Sequence, residues 1–462
     1  MSSKNFQVLP GLQKRSLFFK ILSILVLILG MGHFYDFQRG HRRHAQNAEQ
    51  LDFPAYFLAH KITLQRKNVY SLAVIKEAAE QNNIEFKIFR ANLYSPPFYL
   101  FMIPLPEVDI NTAQAFFVSI KAFLLVAIVL SLAMYLLGME RYRNLADRRY
   151  WILLLTGLGL AILPFLHPLA ADLQDGQINV LTLVTLVAAL MAERKYPIVS
   201  GLALTIGGVI KLSPLFLGLK VILEKRWKLM ASMIASGLFL GLASIAYFSW
   251  EMVAHYLNSI LFGFMLSDTI PLLDWPVSHP LNQSFKGLYA RLFMQDFPAQ
   301  YGGTTVLYES PALGKALSAI TNLGWIASCM MVTRYVKGLG EDRWKSSLHF
   351  SYYVAVMTLI SPLTWYHHQV TLILPLLVLL FYGILHVRDS YPVLIAVALC
   401  IWLMYFPPLY LYRDLLERWN EVYPGGYSAL YYIKLLANTI LALLIIFVLR
   451  KEKRRTLEVK SV

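Results

Sequence analysis

The stretch of sequence that decides the fold runs from Leu229 to Ser249 and reads LMASMIASGLFLGLASIAYFS, without a charged side chain. A helix needs an apolar run of about twenty residues to cross the hydrocarbon core of a bilayer. Further runs of this kind lie near 17–35, 113–138, 150–166, 177–192, 312–335, 348–362, 369–386, 391–411 and 428–449. The sequence therefore predicts about ten membrane crossings by helices.

The composition of the chain supports the same fold class. The 462 residues are 57% hydrophobic and 15% charged, whereas soluble domains are about 25% charged. A soluble core does not need that much apolar surface. We expect an all-α polytopic membrane protein of about 10–12 transmembrane helices, forming a single membrane domain over residues 1–462.

The formal net charge of +15 could suit a nucleic-acid partner. The lysines and arginines, however, lie in short clusters between the apolar runs, where they orient the helices in the membrane. No nucleic-acid partner is therefore expected. The two cysteines, Cys329 and Cys400, fall inside predicted spans, which favours neither a disulfide framework nor a cysteine metal site.

The basic clusters also predict the topology. They share one side of the membrane if segment 198–223 does not cross as a single helix. The sequence Lys211-Leu-Ser-Pro214 breaks that segment, because proline disfavours helical geometry before it and lacks an N–H donor. We expect a re-entrant hairpin over 198–223 and cytoplasmic N- and C-termini. The clusters are Lys4/Lys14/Arg15, 141–149, 194–195, 225–228, 337–345, Arg388 and 450–455.

Two long segments then face the other side, 36–112 (the first outer loop) and 250–311 (the second outer loop). Both alternate short amphipathic pieces with aromatic and proline turns. Such pieces suit helices that lie along the membrane interface. Shorter outer loops are expected at 167–176, 363–368 and 412–427.

Asp52 is the carboxylate of the first outer loop that best suits acid–base chemistry. It lies in Leu51-Asp-Phe-Pro-Ala-Tyr-Phe57, among apolar and aromatic neighbours, and partial burial tunes the basicity of a carboxylate. The alternative is a structural role, because Asp directly before Phe-Pro is a good helix N-cap. Asp36, just past the first apolar run, is a rival carboxylate.

The segment Ser361-Pro-Leu-Thr-Trp-Tyr-His-His368 lies at the outer mouth of two predicted spans. The imidazoles of His367 and His368 suit a phosphate or a sugar hydroxyl, and Trp365 suits a sugar face or the membrane interface. An interfacial girdle without a ligand is the alternative. Adjacent side chains on a helix do not face each other as i,i+4 ligands do, and no His-Glu-x-x-His pattern occurs, so no metal site is expected.

Polar residues beside other apolar runs are further candidates. Lys211, and Gln177 and Asn179 in Asp175-Gly-Gln-Ile-Asn179, are polar groups at predicted membrane depth, where such groups are usually functional. For Lys211 the alternative is that its ammonium extends to the cytoplasmic headgroups.

The second outer loop carries a polar and basic patch formed by Asn282, Gln283, Lys286 and Arg291. Asn282-Gln-Ser284 also fits the glycosylation acceptor pattern, which is common by chance. The phosphate-cradling glycine motifs and the serine hydrolase elbow do not occur in the sequence. Any sugar donor should therefore arrive in the membrane rather than as a nucleotide sugar.

Taken in order, these motifs resemble glycosyltransferase family 87, the polyprenol-phosphate-mannose-dependent α-mannosyltransferases, which have the multispanning GT-C fold. Each motif is short, and the resemblance depends on their order and spacing from about residue 50 to 375. The matching elements are Asp52 with its aromatic followers, Tyr94-Ser-Pro-Pro97 ahead of Pro104-Leu105, Gly176-Gln-Ile-Asn179, Lys211-Leu-Ser-Pro214, Asn282-Gln-Ser284 with Arg291, and Ser361-Pro-Leu-Thr-Trp365 with His367 and His368.

The resemblance implies a GT-C-like bundle that transfers a hexose, mannose in the family, from a polyprenyl-phosphate donor to a lipid or glycan acceptor. The transfer would be inverting, on the non-cytoplasmic face of the cell membrane, without cofactor or metal. It implies that Asp52 is the catalytic base, which agrees with the need of a single displacement for one base. Residues that could bind the donor phosphate or sugar are His367, His368, Arg291, Lys286, Asn282, Gln283 and Trp365, and other site candidates are Tyr94, Gln177, Asn179 and Lys211.

Two further interpretations remain open on the sequence alone. A transporter or flippase would explain Lys211, the broken segment and the number of crossings, but such proteins usually show paired breaks in their two halves, and here one break is found. A scaffold without catalysis would not use Asp52. The acceptor is also open, because the segment between Asp52 and Tyr94 is longer and more polar than in related sequences, with His60, Lys61, Arg66 and Lys67.

Overall fold

The computed structural model describes residues 16–47, 51–85, 92–138, 148–262, 268–270, 275–279, 281–294, 306–337, 342–406 and 432–460. The predicted basic cluster Lys4/Lys14/Arg15 and the predicted outer loop 412–427 lie outside these residues. The described part is helical almost throughout, as the sequence predicts.

The α-helices, numbered along the chain, are α1 Ser16–Asn47, α2 Phe53–Leu64, α3 Leu72–Gln81, α4 Pro96–Leu100, α5 Ile110–Leu137, α6 Arg148–Ile162, α7 His167–Asp175, α8 Asn179–Ala192, α9 Pro197–Ile210, α10 Leu217–Leu223, α11 Trp227–Phe248, α12 Trp250–His255, α13 Phe285–Phe293, α14 Pro311–Lys337, α15 Arg343–Ile360, α16 Ile373–Leu385, α17 Val387–Tyr405 and α18 Ile433–Lys460. Tighter 3-10 turns span Leu163–Phe165, Ser213–Phe216 and Tyr366–Leu372, and a π-helical turn spans Tyr256–Leu261. Two short strands, β1 Thr269–Ile270 and β2 Trp275–Pro276, pair antiparallel in the second outer loop.

Seven helical segments of the described chain are long and apolar enough to cross a membrane. They are Leu17–Gln46, Ile110–Leu137, Arg148–Phe165, Trp227–Phe248, Pro311–Lys337, Tyr366–Leu385 and Ile433–Arg454. The predicted runs at 177–192 and 391–411 fall on shorter apolar helices, and the run at 348–362 falls on α15, whose first half carries Arg343, Lys345 and His349. The structure confirms an all-α polytopic membrane protein, while the total of 10–12 crossings stays a prediction.

Burial separates the central helices from the peripheral ones. The side chains of α15 and α16 are buried on almost all sides, at the centre of a large apolar core. By contrast, α11 leaves Leu238 and Phe239 exposed by 63% and 69%. Large apolar side chains on the outside of a bundle suit contact with lipid rather than water.

The first outer loop folds around an apolar core of its own. Helices α2, α3 and α4 bury Leu58, Ile75 and Tyr99 against one another, and the same core includes Ile178 and Ile210 from the main bundle. The loop therefore packs on the start of α8 and the end of α9. This packing carries Asp52, the residue before α2, to the end of the bundle where α7 meets α8.

The broken segment 198–223 folds back on itself at Lys211. Glu193 lies just before the start of α9. Lys220, near the end of α10, forms an ion pair with Glu193, and Arg226 donates to the Glu193 carbonyl at 2.8 Å. The start of α9 and the end of α10 therefore lie side by side. Lys211 lies at the other end, beside Asn179. The chain forms a helical hairpin here, and its re-entrant placement in the membrane stays a prediction.

Candidate active site

Asp52 occupies the N-cap position of α2 but does not cap the helix with its side chain. Its backbone N–H donates to the carbonyl of Asp175 at 2.9 Å. Its half-buried carboxylate instead accepts a hydrogen bond from Gln177 Nε2 at 2.6 Å on Oδ2. The side chain thus points away from its own helix and toward the α7–α8 junction. A side chain that only capped α2 would point toward the first N–H groups of that helix.

Two tyrosines fix the orientation of the Gln177 amide. Tyr56 OH donates to Gln177 Oε1 at 3.1 Å, and Tyr94 OH lies 2.6 Å from Tyr56 OH and 3.4 Å from the same amide oxygen. Because Oε1 faces hydroxyl donors, the amide NH₂ group faces Asp52. The turn before Gln177 depends on Gly176, whose φ of 74° lies in the left-handed region that favours glycine.

A buried ion pair lies beneath this junction. Lys121, in the middle of α5, donates to Asp172 Oδ1 at 3.1 Å and to the carbonyls of Asp172 and Gln177 at 2.9 and 3.0 Å. Both charged side chains are fully buried. Asp172 Oδ2 accepts from the backbone and side-chain amides of Asn179 at 3.0 and 2.9 Å, and Lys211 donates to Asn179 Oδ1 at 2.5 Å. The network fixes the loop that presents Gln177 to Asp52.

Asp175, Tyr366 and His367 form the other side of the site. Tyr366 OH donates to Asp175 Oδ2 at 3.2 Å, and His367 Nδ1 lies 3.7 Å from the same oxygen. The rings of His367 and His368 lie 4.8 Å apart. Neither ring nitrogen of His367 has a hydrogen-bond partner among the described residues. The imidazole is therefore available to a ligand.

Electrostatics tune Asp52 for proton transfer. The pKa of Asp52 is raised from 3.8 to about 6, chiefly by burial, and the charge of Asp175 contributes to this rise. The charges of His367 and Lys211 and the hydrogen bond from Gln177 oppose this rise. A carboxylate with a pKa near 6 is mostly ionised at neutral pH and is a stronger base than an ordinary aspartate, as general base catalysis requires.

The polar patch of the second outer loop holds that loop against the segment before His367. Asn282 Nδ2 donates to the Val277 and Pro362 carbonyls at 2.9 and 3.3 Å, and Asn282 Oδ1 accepts from Thr364 N at 2.9 Å. Gln283 N donates to the Thr364 carbonyl at 2.6 Å. Asn282 is completely buried, so it does not present a glycosylation acceptor.

The remaining donor-binding candidates are Trp365, Arg291 and Lys286. Trp365 packs its ring 5.1 Å from the ring of His279, edge to face. Arg291 is fully buried and donates from Nε and Nη2 to the Ser278 carbonyl at 3.0 and 2.7 Å. Lys286 is half buried and lies near Asp268 and Lys315; burial lowers its pKa, which the charge of Asp268 opposes.

The structure thus brings together one group of the sequence candidates, which consists of Asp52, Tyr94, Gln177, Asn179, Lys211, His367 and His368. Sequence reasoning missed Tyr56, Lys121 and Asp172. The signal for Lys121 was present, because a lone lysine inside a long apolar run is a functional candidate. Tyr56 gave no such signal, since aromatic residues are common in interfacial helices.

Within the described ranges, no group of three or more His, Cys, Asp or Glu side chains is arranged to hold a metal ion. Lys211 and His367 are basic side chains near Asp52 and Asp175. Together with the tuned carboxylate, they could deprotonate a hydroxyl and bind an anionic group.

Comparison with known families identifies a family to which the chain is related. The model of glycosyltransferase family 87 matches residues 92–362, more than half of the 462 residues. The match includes Tyr94, Gln177, Lys211 and Arg291, but begins after Asp52 and ends before His367. Comparison with curated proteins and with solved structures gave no significant match. The chain belongs to glycosyltransferase family 87 and is a multi-pass membrane glycosyltransferase.

Proposed function

We propose that this glycosyltransferase is a hexosyltransferase that moves mannose from a polyprenyl-phosphate donor to a lipid or glycan acceptor, with inversion at the sugar carbon. The observation that carries the proposal is the half-buried carboxylate of Asp52, hydrogen-bonded by Gln177 and influenced by the charges of Lys211 and His367. Such a carboxylate suits removal of the proton from an acceptor hydroxyl.

A single displacement also requires stabilisation of the leaving group on the opposite face of the sugar. The bond between the sugar carbon and the phosphate oxygen breaks as the acceptor oxygen attacks, and the electron pair leaves with the phosphate. A lipid phosphate leaves as an anion, so the reaction needs positive charge there rather than a second carboxylic acid. We assign the positive charge to Arg291 and N–H donation to the phosphate to His367 and His368, with Lys286, Asn282, Gln283 and Trp365 as further donor-binding candidates. In this proposal the protein's own side chains supply the charge, without metal or cofactor.

We further propose that the Asp52 end of the bundle faces the non-cytoplasmic side of the cell membrane. The opposite end carries basic residues, including Arg226, Lys337 and Arg450: Arg226 binds the Glu193 carbonyl at 2.8 Å, and Lys337 binds the Leu223 carbonyl at 2.6 Å. Such residues concentrate on the cytoplasmic side of membrane proteins. In this orientation both termini are cytoplasmic.

The alternative of a transporter or flippase receives less support. Lys211, its main motivation, donates to Asn179 within the same network that presents Gln177 to Asp52. A transferase needs a base such as Asp52 held in place by this network, whereas a transporter does not need a carboxylate with a raised pKa. The family match also favours transfer chemistry.

Replacing Asp52 by Asn tests the proposal. Membranes containing Asp52→Asn should fail to move radiolabelled mannose from polyprenyl phosphate to an extractable acceptor, at equal protein level. The matched control is Asp36→Asn, because Asp36 is an exposed carboxylate on α1 and should be dispensable. Transfer at the wild-type rate by Asp52→Asn would show that Asp52 is not the catalytic base. Absence of transfer by the wild type would show that polyprenyl-phosphate mannose is not the donor.

A further inference from the structure

Lys434 is a buried lysine that the family match does not include. It lies in the first turn of α18 and is only 2% exposed. It begins the run Lys434-Leu-Leu-Ala-Asn-Thr-Ile-Leu, at the same end of the bundle as Asp52. The other end of α18 lies at the opposite end of the helical bundle, where Glu452 accepts a hydrogen bond from Tyr382 at 2.7 Å.

The contacts of Lys434 do not balance its charge. Its Nζ donates to the carbonyl of Phe406, at the end of α17. No carboxylate within the described ranges forms an ion pair with it. A buried ammonium without a counter-charge is costly in protein or membrane surroundings. The Phe406 contact alone fits a helix C-cap, but a neutral donor would satisfy that carbonyl at lower cost.

Lys434 lies close to the Asp175 side of the active site. The ring of Phe165, two residues before His167, packs 6.2 Å from the ring of Tyr405, the neighbour of Phe406. The ring of His167 lies 5.3 Å from that of Tyr366, which binds Asp175. A short chain of contacts therefore connects Lys434 to the site through His167.

The contacts give the order of these groups, from Asp52 to Asp175, Tyr366 and His167, and their charges act on one another. Burial lowers the pKa of His167 to about 3, and the charges of Lys434, Asp175 and His367 act on it too. Asp175 and His367 also act on Asp52. The site thus extends from Asp52 past Asp175 and His367 to His167 and Lys434.

Unsatisfied nitrogens line this path. His167 Nδ1 and both ring nitrogens of His367 are buried and have no hydrogen-bond partner among the described residues. Imidazole N–H groups and an ammonium are donors that a phosphate oxygen can accept from. Apolar ligands could not satisfy them. The imidazoles alone would also suit a sugar hydroxyl, but the ammonium of Lys434 beside them favours an oxyanion.

We propose that Lys434 and His167 bind the phosphate group of the polyprenyl-phosphate donor, which rests on the function proposed above. The phosphate then lies beyond His367, and the sugar lies between it and Asp52. This is the order that in-line displacement requires, with base and leaving group on opposite faces of the sugar. Lys434 supplies positive charge to the leaving phosphate from the last helix.

Ligand binding by the purified full-length protein in nanodiscs tests this assignment without an acceptor. The probes are polyprenyl phosphate and the matching polyprenol, which lacks the phosphate. Lys434→Gln keeps a donor for the Phe406 carbonyl but removes the charge. It should weaken polyprenyl phosphate binding about ten- to a hundredfold and leave polyprenol binding unchanged. The matched control is Lys453→Gln, on the same helix at the other end, where Lys453 lies over the ring of Tyr335.

Equal polyprenyl phosphate binding by Lys434→Gln and wild type would overturn the proposal. If Lys434→Gln also lowers the melting temperature, His167→Leu is the second variant, because it leaves the Phe406 contact intact. It should weaken binding of the phosphate ligand selectively, by about three- to tenfold. Equal loss of both ligands would indicate a structural role and overturn the assignment.

A third probe, phosphatidic acid, represents a phosphate on an acceptor lipid. If only its binding depends on Lys434, the donor assignment is wrong. If the wild type does not bind polyprenyl phosphate more tightly than polyprenol, the polyprenyl-phosphate donor of the proposed function is wrong. If that preference exists and survives in both variants, only the role of Lys434 and His167 fails.

Discussion

Gln177 donates a hydrogen bond of 2.6 Å to Asp52, across a separation of 125 residues. Tyr56 fixes the amide from the other side by donating to its oxygen at 3.1 Å. The carboxylate is therefore oriented by a residue of the α7–α8 junction rather than by its own helix. This contact joins the first outer loop to the main bundle at the point where the proposed chemistry takes place.

The pH dependence of transfer should follow Asp52. Burial raises the pKa of its carboxylate to about 6, and only the ionised form accepts a proton. We expect the transfer rate to fall as the pH decreases through about 6 and to level off above it. The measurement is the rate of mannose transfer at saturating donor as a function of pH. An acid limb centred near the ordinary aspartate pKa would show that this carboxylate is not the base.

Replacing Gln177 by Leu should shift that profile. The hydrogen bond from Gln177 lowers the pKa of Asp52 against the effect of burial, so its loss raises the pKa. The acid limb should move to higher pH, and the rate at neutral pH should fall about two- to tenfold. Gln81→Leu is the control, because Gln81 is an exposed amide that binds Glu77. An unchanged pH profile with a lower rate would mean that Gln177 has only a structural role.

The sequence predicted the helices and the polar candidates much better than the contacts between them. Apolar runs report that a helix is buried or in lipid, and this signal is strong for α5, α11 and α18. It does not report which polar residues meet. The spacing around Asp52 favours a helix cap over a base, and the structure points the other way through Gln177, which lies far away in the sequence. Lys434 lies inside the predicted apolar run 428–449, as Lys121 lies inside 113–138, but its burial near His167 is a property of packing.

The ion pair between Lys121 and Asp172 should be needed for folding. Lys121→Met leaves the Asp172 carboxylate buried without its ion-pair partner, and breaking a buried pair in this way costs about 3–5 kcal/mol. The double variant Lys121→Met/Asp172→Asn should recover part of this loss, because the amide oxygen of the introduced asparagine could still accept from the Asn179 amides. Thermal unfolding in detergent is the measurement. The control is Lys61→Met, which breaks a more exposed pair with Glu107 and should change the melting temperature little.

If Lys121→Met and the double variant are equally destabilised, the uncompensated carboxylate is not the cause. The lost packing of the lysine stem would then explain the effect. The activity of the double variant gives a second measure. Since Asp172 anchors the loop that presents Gln177, any variant that restores stability but displaces this loop should remain slow.

Asp52→Asn should make the protein more stable while it abolishes transfer. The pKa of Asp52 is raised from 3.8 to about 6 by burial, so the folded state disfavours the ionised form. With respect to this group, the folded protein is most stable at low pH, where the carboxyl is protonated. That part of the folding free energy is lost as the pH rises through about 6. An asparagine does not ionise and should avoid this loss.

The expected result is a higher melting temperature for Asp52→Asn than for wild type at pH 7.5, measured in detergent. The difference should shrink toward about pH 4, where the folded wild type is also protonated. Asp36→Asn, at an exposed position, should match wild type at both pH values. A lower melting temperature for Asp52→Asn at neutral pH would show that the carboxylate stabilises the fold. Asp52 would then act as a structural residue, and the case for a base held in an unfavourable state would fail.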